Sequence, residues 1–247
     1  MVLRGQYLER SVVVGDLDAL YHRGERDPPC AIAAPHPALG GSMLSPVVAE
    51  LAWALTRAGH PTLRFDYRGV GSSRGESRHP AGGMRIEDLG DEVADVLTIC
   101  DQLIATTGMA AVCAVGYSFG AAVALEAARD ARVGRLVLIA PPTTLYDFGA
   151  LAAVRKPALV VCAHHDTFCD RSQLPLPSGA RLEVIPHADH FFGRGLTELG
   201  KIVATWLRGD RAELVAQEDR TGEGGKAVEL ELDPGEGPPL ELDEDPK

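Results

Sequence analysis

The run Ala110-Ala111-Val112-Cys113-Ala114-Val115-Gly116-Tyr117-Ser118-Phe119-Gly120-Ala121 decides the fold. Its first six residues are apolar and suit a strand or a helix equally. The Gly-x-Ser-x-Gly that follows settles them as a strand, because it needs a tight turn at that point. Spacing alone is a weak signal: with 27 glycines in 247 residues, chance supplies about 0.1 such matches. Context strengthens it. An apolar strand precedes the motif, and a small-residue helix, Ala121 to Arg129, follows. A strained strand-to-helix corner of this type holds its serine out at the carboxyl edge of a sheet. Side chains in place of Gly116 and Gly120 would clash there. The competing reading is a plain strand–turn–helix corner.

Moving outward, alternating elements appear on both sides. Residues 8–23 read as a hairpin turning at Gly15-Asp16. Cys30 to Ala34, Thr62 to Phe65, Leu136 to Ala140, Ala158 to Ala163 and Leu182 to Ile185 are short apolar runs of buried-strand type. Ser45-Pro46 reads as a helix start, serine as cap and proline in the first turn, with Val47, Val48, Leu51, Ala52 and Leu55 at helical spacing. Ile86, Leu89, Val93, Val96, Leu97, Cys100, Leu103 and Ile104 step by three and four, as do Leu199, Ile202, Val203 and Trp206 near the end. A hairpin followed by strands alternating with helices predicts an α/β fold, its mostly parallel sheet covered on both faces. Only Pro141 to Pro157 separates two of the strands, too short a span for a cap domain.

A serine hydroxyl is a poor nucleophile until a base takes its proton, so an acid and then a histidine are expected further along the chain. Asp166 falls just after the strand ending at Ala163, with Asp170 as second choice. His190 falls after the strand ending at Ile185, with His187 as second choice. The developing oxyanion needs backbone N–H donors. Phe119, next after the serine, supplies one. The other comes from the loop Pro35-His36-Pro37-Ala38-Leu39-Gly40-Gly41, where the prolines have no N–H to give. His36 is the choice there, Ala38 or Leu39 the fallback. His164-His165-Asp166 reads as solvated loop rather than a metal cluster, because adjacent histidines at a strand end are expected to point apart. Arg64, Asp66 and Arg68 read as a loop network that fixes a turn. The alternative is a substrate carboxylate held by Arg68.

Composition fits this picture. Apolar residues are 45 % and charged residues 24 %, ordinary for a globular chain. No run approaches the 18 apolar residues of a membrane span, and Met1 to Arg10 has no apolar run of leader type, so a cytoplasmic location is expected. The net charge of −11 is uneven: residues 210–247 carry a net −9 and residues 1–209 only −2. No basic stripe suggests nucleic acid as a partner. Residues 1–209 form one expected domain. Residues 210–247, acidic and without aromatics, read as a disordered tail. There Leu230-Glu231-Leu232-Asp233 recurs as Leu240-Glu241-Leu242-Asp243, either acidic low complexity or a pair of weak docking motifs for a protein partner. The five cysteines, Cys30, Cys100, Cys113, Cys162 and Cys169, form no CxxC pair and read as buried and reduced.

Several segments together resemble the α/β-hydrolase superfamily, and within it small bacterial enzymes related to dienelactone hydrolases. They are His36-Pro37-Ala38-Leu39-Gly40-Gly41, Arg64-Phe65-Asp66-Tyr67-Arg68-Gly69-Val70-Gly71, Gly116 to Ala121, Ala140-Pro141-Pro142 with Tyr146-Asp147-Phe148, and His190-Phe191-Phe192. The match runs from about residue 8 to 208. Three departures stand out. Ser45-Pro46 occupies the place of a common Asn-Lys, and His187 the place of a usual glycine. Ser118 replaces the cysteine nucleophile of true dienelactone hydrolases. The resemblance implies a lidless serine hydrolase with a Ser118–His190–Asp166 triad, a shallow open pocket, small esters as substrates, and neither metal nor organic cofactor. A thioesterase, peptidase or acyltransferase would use the same triad. A binding module on a retained fold, its acidic tail recruiting a partner, is the rival of another class. The edge strands allow an oligomer without requiring one.

Overall fold

The computed structural model describes residues 9–76 and 88–209. Ile86, the first eight residues and the acidic segment from 210 onward lie outside them. Among the described residues, eight strands form one sheet: β1 (Arg10–Val14), β2 (Leu17–His22), β3 (Cys30–Ala33), β4 (Thr62–Phe65), β5 (Val112–Tyr117), β6 (Val133–Ile139), β7 (Ala158–Ala163) and β8 (Arg181–Ile185). Their spatial order is β1-β2-β4-β3-β5-β6-β7-β8. The hairpin β1–β2 joins antiparallel to β4, and the remaining pairings are parallel. Among the described residues, four α-helices cover the sheet: α1 (Pro46–Arg57), α2 (Gly90–Thr107), α3 (Phe119–Ala127) and α4 (Leu196–Arg208). The α/β architecture, the parallel core and the N-terminal hairpin all match the sequence reading.

Burial on both faces explains why the central strands read as continuous apolar runs. Along β5, Val112 and Ala114 pack into the core under α2 and α3, while Cys113, Val115 and Tyr117 pack into the core under α1 and α4. This is the period of two of a pleated strand with no polar face. Each fully buried leucine, such as Leu51 or Leu103, contributes about 1.5–3 kcal/mol by leaving water. All five cysteines are free and buried. No helix among the described residues is long and apolar enough to cross a membrane.

Two local expectations change. β6 begins at Val133, three residues earlier than the apolar run suggests, because Val133 pairs with Val112 although Gly134 and Arg135 carry no apolar signal. Ser45 does sit at the N-cap of α1, but its side chain makes no bond to the helix; its hydroxyl accepts from Ser42 N at 3.3 Å instead. Proline in the first helical turn loses nothing there, because that N–H has no intrahelical acceptor.

Candidate active site

The carboxyl ends of β3, β5, β7 and β8 bring the functional side chains together. Ser118 follows β5 at φ 54 and ψ −118, a conformation that side chains resist. The flanking glycines are obligatory. A Cβ on Gly116 would come within 2.0 Å of the Gly120 carbonyl oxygen, and one on Gly120 within 2.5 Å of the Ala33 carbonyl oxygen. Close packing of α3 against β3 and β5 therefore forces the corner. Ser118 N donates to Ile139 O at 2.9 Å, tying it to β6.

Ser118 Oγ lies 2.9 Å from His190 Nε2. His190 Nδ1 lies 2.8 and 2.9 Å from the two oxygens of Asp166. A carboxylate can only accept, so Nδ1 carries a proton; in the neutral ring this leaves Nε2 as acceptor for the serine hydroxyl. The Asp166 side chain is fully buried, and its Oδ1 also accepts from Phe168 N at 2.8 Å. Tyr117 donates its hydroxyl to the His190 carbonyl at 3.1 Å. The rings of Phe168 and Phe191 stand 4.9 and 5.4 Å from the imidazole. The result is a serine hydroxyl aligned on an imidazole whose far nitrogen is held by a dry carboxylate.

The second-choice residues are elsewhere. Asp170 is exposed and accepts from Ser172 and Gln173 at the start of a short 3-10 turn, which holds its pKa below the usual carboxylate range. His187 is exposed at φ 58, a left-handed conformation that explains why the resembled enzymes carry glycine there. Contrary to expectation, the His164 and His165 rings do not point apart. They meet edge to face at 4.6 Å. No cluster of metal-ligating side chains occurs among the described residues.

The loop after β3 folds as a tight 3-10 turn, Pro37–Leu39, with Gly40 left-handed at φ 79. Leu39 N and Gly41 N donate to His36 O, and Ala38 N donates to the His36 ring. The Ala38 and Leu39 amides are thus consumed inside the turn. His36 is buried with its ring 5.0 Å from that of Phe119. Phe119 opens α3, so its N–H belongs to the first-turn amides that the helix ladder leaves to other partners.

Arg64, Asp66 and Arg68 form the loop network expected of them. Buried Arg64 donates to Met43 O at 2.8 Å and pairs with Glu9, while Asp66 accepts from Met43 N at 2.7 Å. The two clamp both sides of one residue in the loop beside the site. Arg68 pairs with Asp95 at 2.7 Å and Asp91 at 2.9 Å and does not line the cavity at Ser118. Its partners are carboxylates of the chain itself, as the loop-network reading expects. Sequence reasoning missed Tyr117, Phe168 and Met43 as braces. Phe168 alone left a local trace: it stands two residues after Asp166, the spacing of an Asx-turn. A cavity of about 500 Å³ opens over Ser118.

Known proteins share the fold. The serine aminopeptidase S33 family model matches residues 38–147. The structure of an α/β serine hydrolase homologue from Coxiella burnetii is 28 % identical, at TM-score 0.69, covering 84 % of this chain and 99 % of that one. A Xanthomonas campestris serine hydrolase without a lid is 27 % identical, at TM-score 0.66, covering 81 % and 92 %. A Mycobacterium tuberculosis protein named as a phosphoribosyl transferase is 30 % identical over 211 residues, which are 81 % of this chain but 45 % of that protein. The chain has the α/β-hydrolase fold and is similar to serine hydrolases of that fold, one of them without a lid.

Proposed function

We propose that the protein cleaves carboxylic esters through an acyl-enzyme, with Ser118 as nucleophile, His190 as general base and then acid, and Asp166 as the carboxylate that orients the imidazole. The observation that supports this best is the unbroken hydrogen-bonded path from Ser118 through His190 to buried Asp166. Ser118 Oγ attacks the carbonyl carbon while its proton passes to His190 Nε2. Asp166 stabilises the imidazolium that forms. The N–H groups of Phe119 and His36 hold the oxyanion, each worth roughly 10²–10³ in rate. Choosing His36 over Ala38 and Leu39 is supported by the engagement of those two amides within the turn. Collapse of the intermediate releases the alcohol, which takes the proton from His190, and water repeats the sequence on the acyl group.

The description of the matching family favours a second reading, a peptidase on the same residues. Thioester cleavage and acyl transfer use them too, because the triad activates the acyl group and not its acceptor. Comparing water with added alcohol or amine as acceptor separates these. The acidic segment 210–247 is proposed to recruit a protein partner, and deleting it should leave ester turnover in place. The main reading is tested with p-nitrophenyl esters and a fluorophosphonate label on the wild type and Ser118→Ala. Turnover and labelling lost together in the variant support it. Neither activity in folded wild type would sink it.

A further inference from the structure

Resting on that reading, we infer that the substrate is an uncharged ester bearing an apolar chain long enough to lie across the mouth of the cavity, and that Leu39 and Phe191 set its preferred length. The cavity wall is built from Leu39, Val47, Leu145, Tyr146, Phe168 and Phe191 among others, and no Asp, Glu, Lys or Arg lines it. A substrate charge placed there meets no partner, and a charge removed from water without one is strongly disfavoured. A free α-ammonium, the group an aminopeptidase must hold, finds no carboxylate in this wall.

The rim gives the chain its path. Among the described residues, six large apolar side chains stand exposed: Val13, Leu39, Leu44, Leu176, Leu182 and Phe191. Leu39 and Phe191, 62 % and 68 % exposed, both line the cavity, and Leu44, 65 % exposed, directly precedes Ser45, another lining residue. Two of the six exposed large apolar residues thus line one opening, from two separate loops. Apolar surface collected beside a site marks what the site binds. The fold holds it there at a price in solvation. The tight turn Pro37–Leu39 presents Leu39, and Phe191 follows directly on His190. A chain that runs from the ester group at Ser118 out to the mouth would cover apolar surface that both residues leave in water, so the rim would extend the cavity.

The test is a length series. Values of kcat/KM are measured for p-nitrophenyl esters from two to twelve carbons in the acyl chain, and for acetate esters of alcohols of matching length. Leucine p-nitroanilide and a p-nitrophenyl ester with a terminal carboxylate serve as charged probes. Wild type should favour medium over two-carbon chains by at least about tenfold in one series and turn over both charged probes poorly. Leu39→Ser and Phe191→Ser should each lower the medium-to-short ratio several-fold, whatever they do to the absolute rate. A flat profile in both series, ratios unchanged in both variants, or efficient cleavage of the leucine anilide would overturn the inference while leaving the serine hydrolase reading intact. Absence of any ester turnover and of fluorophosphonate labelling would remove both together.

Discussion

Two carboxylates sit just beyond strand ends on the same edge of the sheet, Asp66 after β4 and Asp166 after β7. Both are buried and both accept a backbone N–H, from Met43 and Phe168 respectively. They differ in the second partner. Asp166 holds a titratable ring that reaches on to Ser118. Asp66 accepts from backbone and stands close to Gly71, where an added Cβ would come within 2.6 Å of its Oδ2. Burial, the largest influence, raises the Asp66 pKa, and the Met43 N–H opposes it. The same residue type in matching fold positions thus braces a loop in one case and steers an imidazole in the other. Only the far side of each carboxylate tells them apart.

Removing the group that Asp166 ultimately serves gives the largest effect: Ser118→Ala should lower kcat by roughly 10⁶-fold, read with the best p-nitrophenyl ester. Replacing each carboxylate by its amide comes next and tests the contrast directly. Asp166→Asn should cost about 10⁴-fold in kcat by favouring the wrong imidazole tautomer. Asp66→Asn keeps an oxygen for Met43 N and should change kcat only a few-fold. Equal losses at the two positions would break the comparison. Truncation reverses the emphasis. Asp66→Ala strands the Met43 N–H and should lower unfolding free energy by about 1–3 kcal/mol in urea titrations.

The pH response is smaller. A carboxyl with a raised folded pKa binds more protons folded than unfolded between the two values. Its contribution to stability therefore falls as pH climbs from about 3.9 through the raised value, and is flat above it. Thermal melts should show Asp66→Asn gaining on wild type across that window and holding the gain to neutrality. The smallest change concerns His187. His187→Gly relieves a left-handed conformation and should add about 1 kcal/mol of stability, visible as a modest rise in Tm.

What the sequence made legible was whatever acts over short separations. Strands β3, β5 and β7 were readable because burial on both faces leaves them without a charged residue, and the corner at Ser118 because two glycines bracket it. Asp166 and His190 could be anticipated because strand ends deliver them to a shared edge. The remainder depends on pairings across the fold. Nothing near Arg68 announces Asp91 and Asp95, 23 and 27 residues away on α2. Nothing near Met43 announces that Arg64 and Asp66 will grip it. β6 hid its first residues because strand pairing, and not an apolar run, recruits Val133 and Arg135, with Gly134 at the irregularity between them. The meeting of His164 and His165 depends on side-chain rotation, which composition does not encode.

The backbone at Ser118, held at φ 54, sets folding against reactivity at a single residue. Such a conformation costs about 1–3 kcal/mol for a residue with a side chain and almost nothing for glycine. Ser118→Gly should therefore melt higher than the wild type while turning over no ester. A library of variants sorted by heat resistance alone would enrich that substitution, so any programme to harden this protein has to score turnover in the same round.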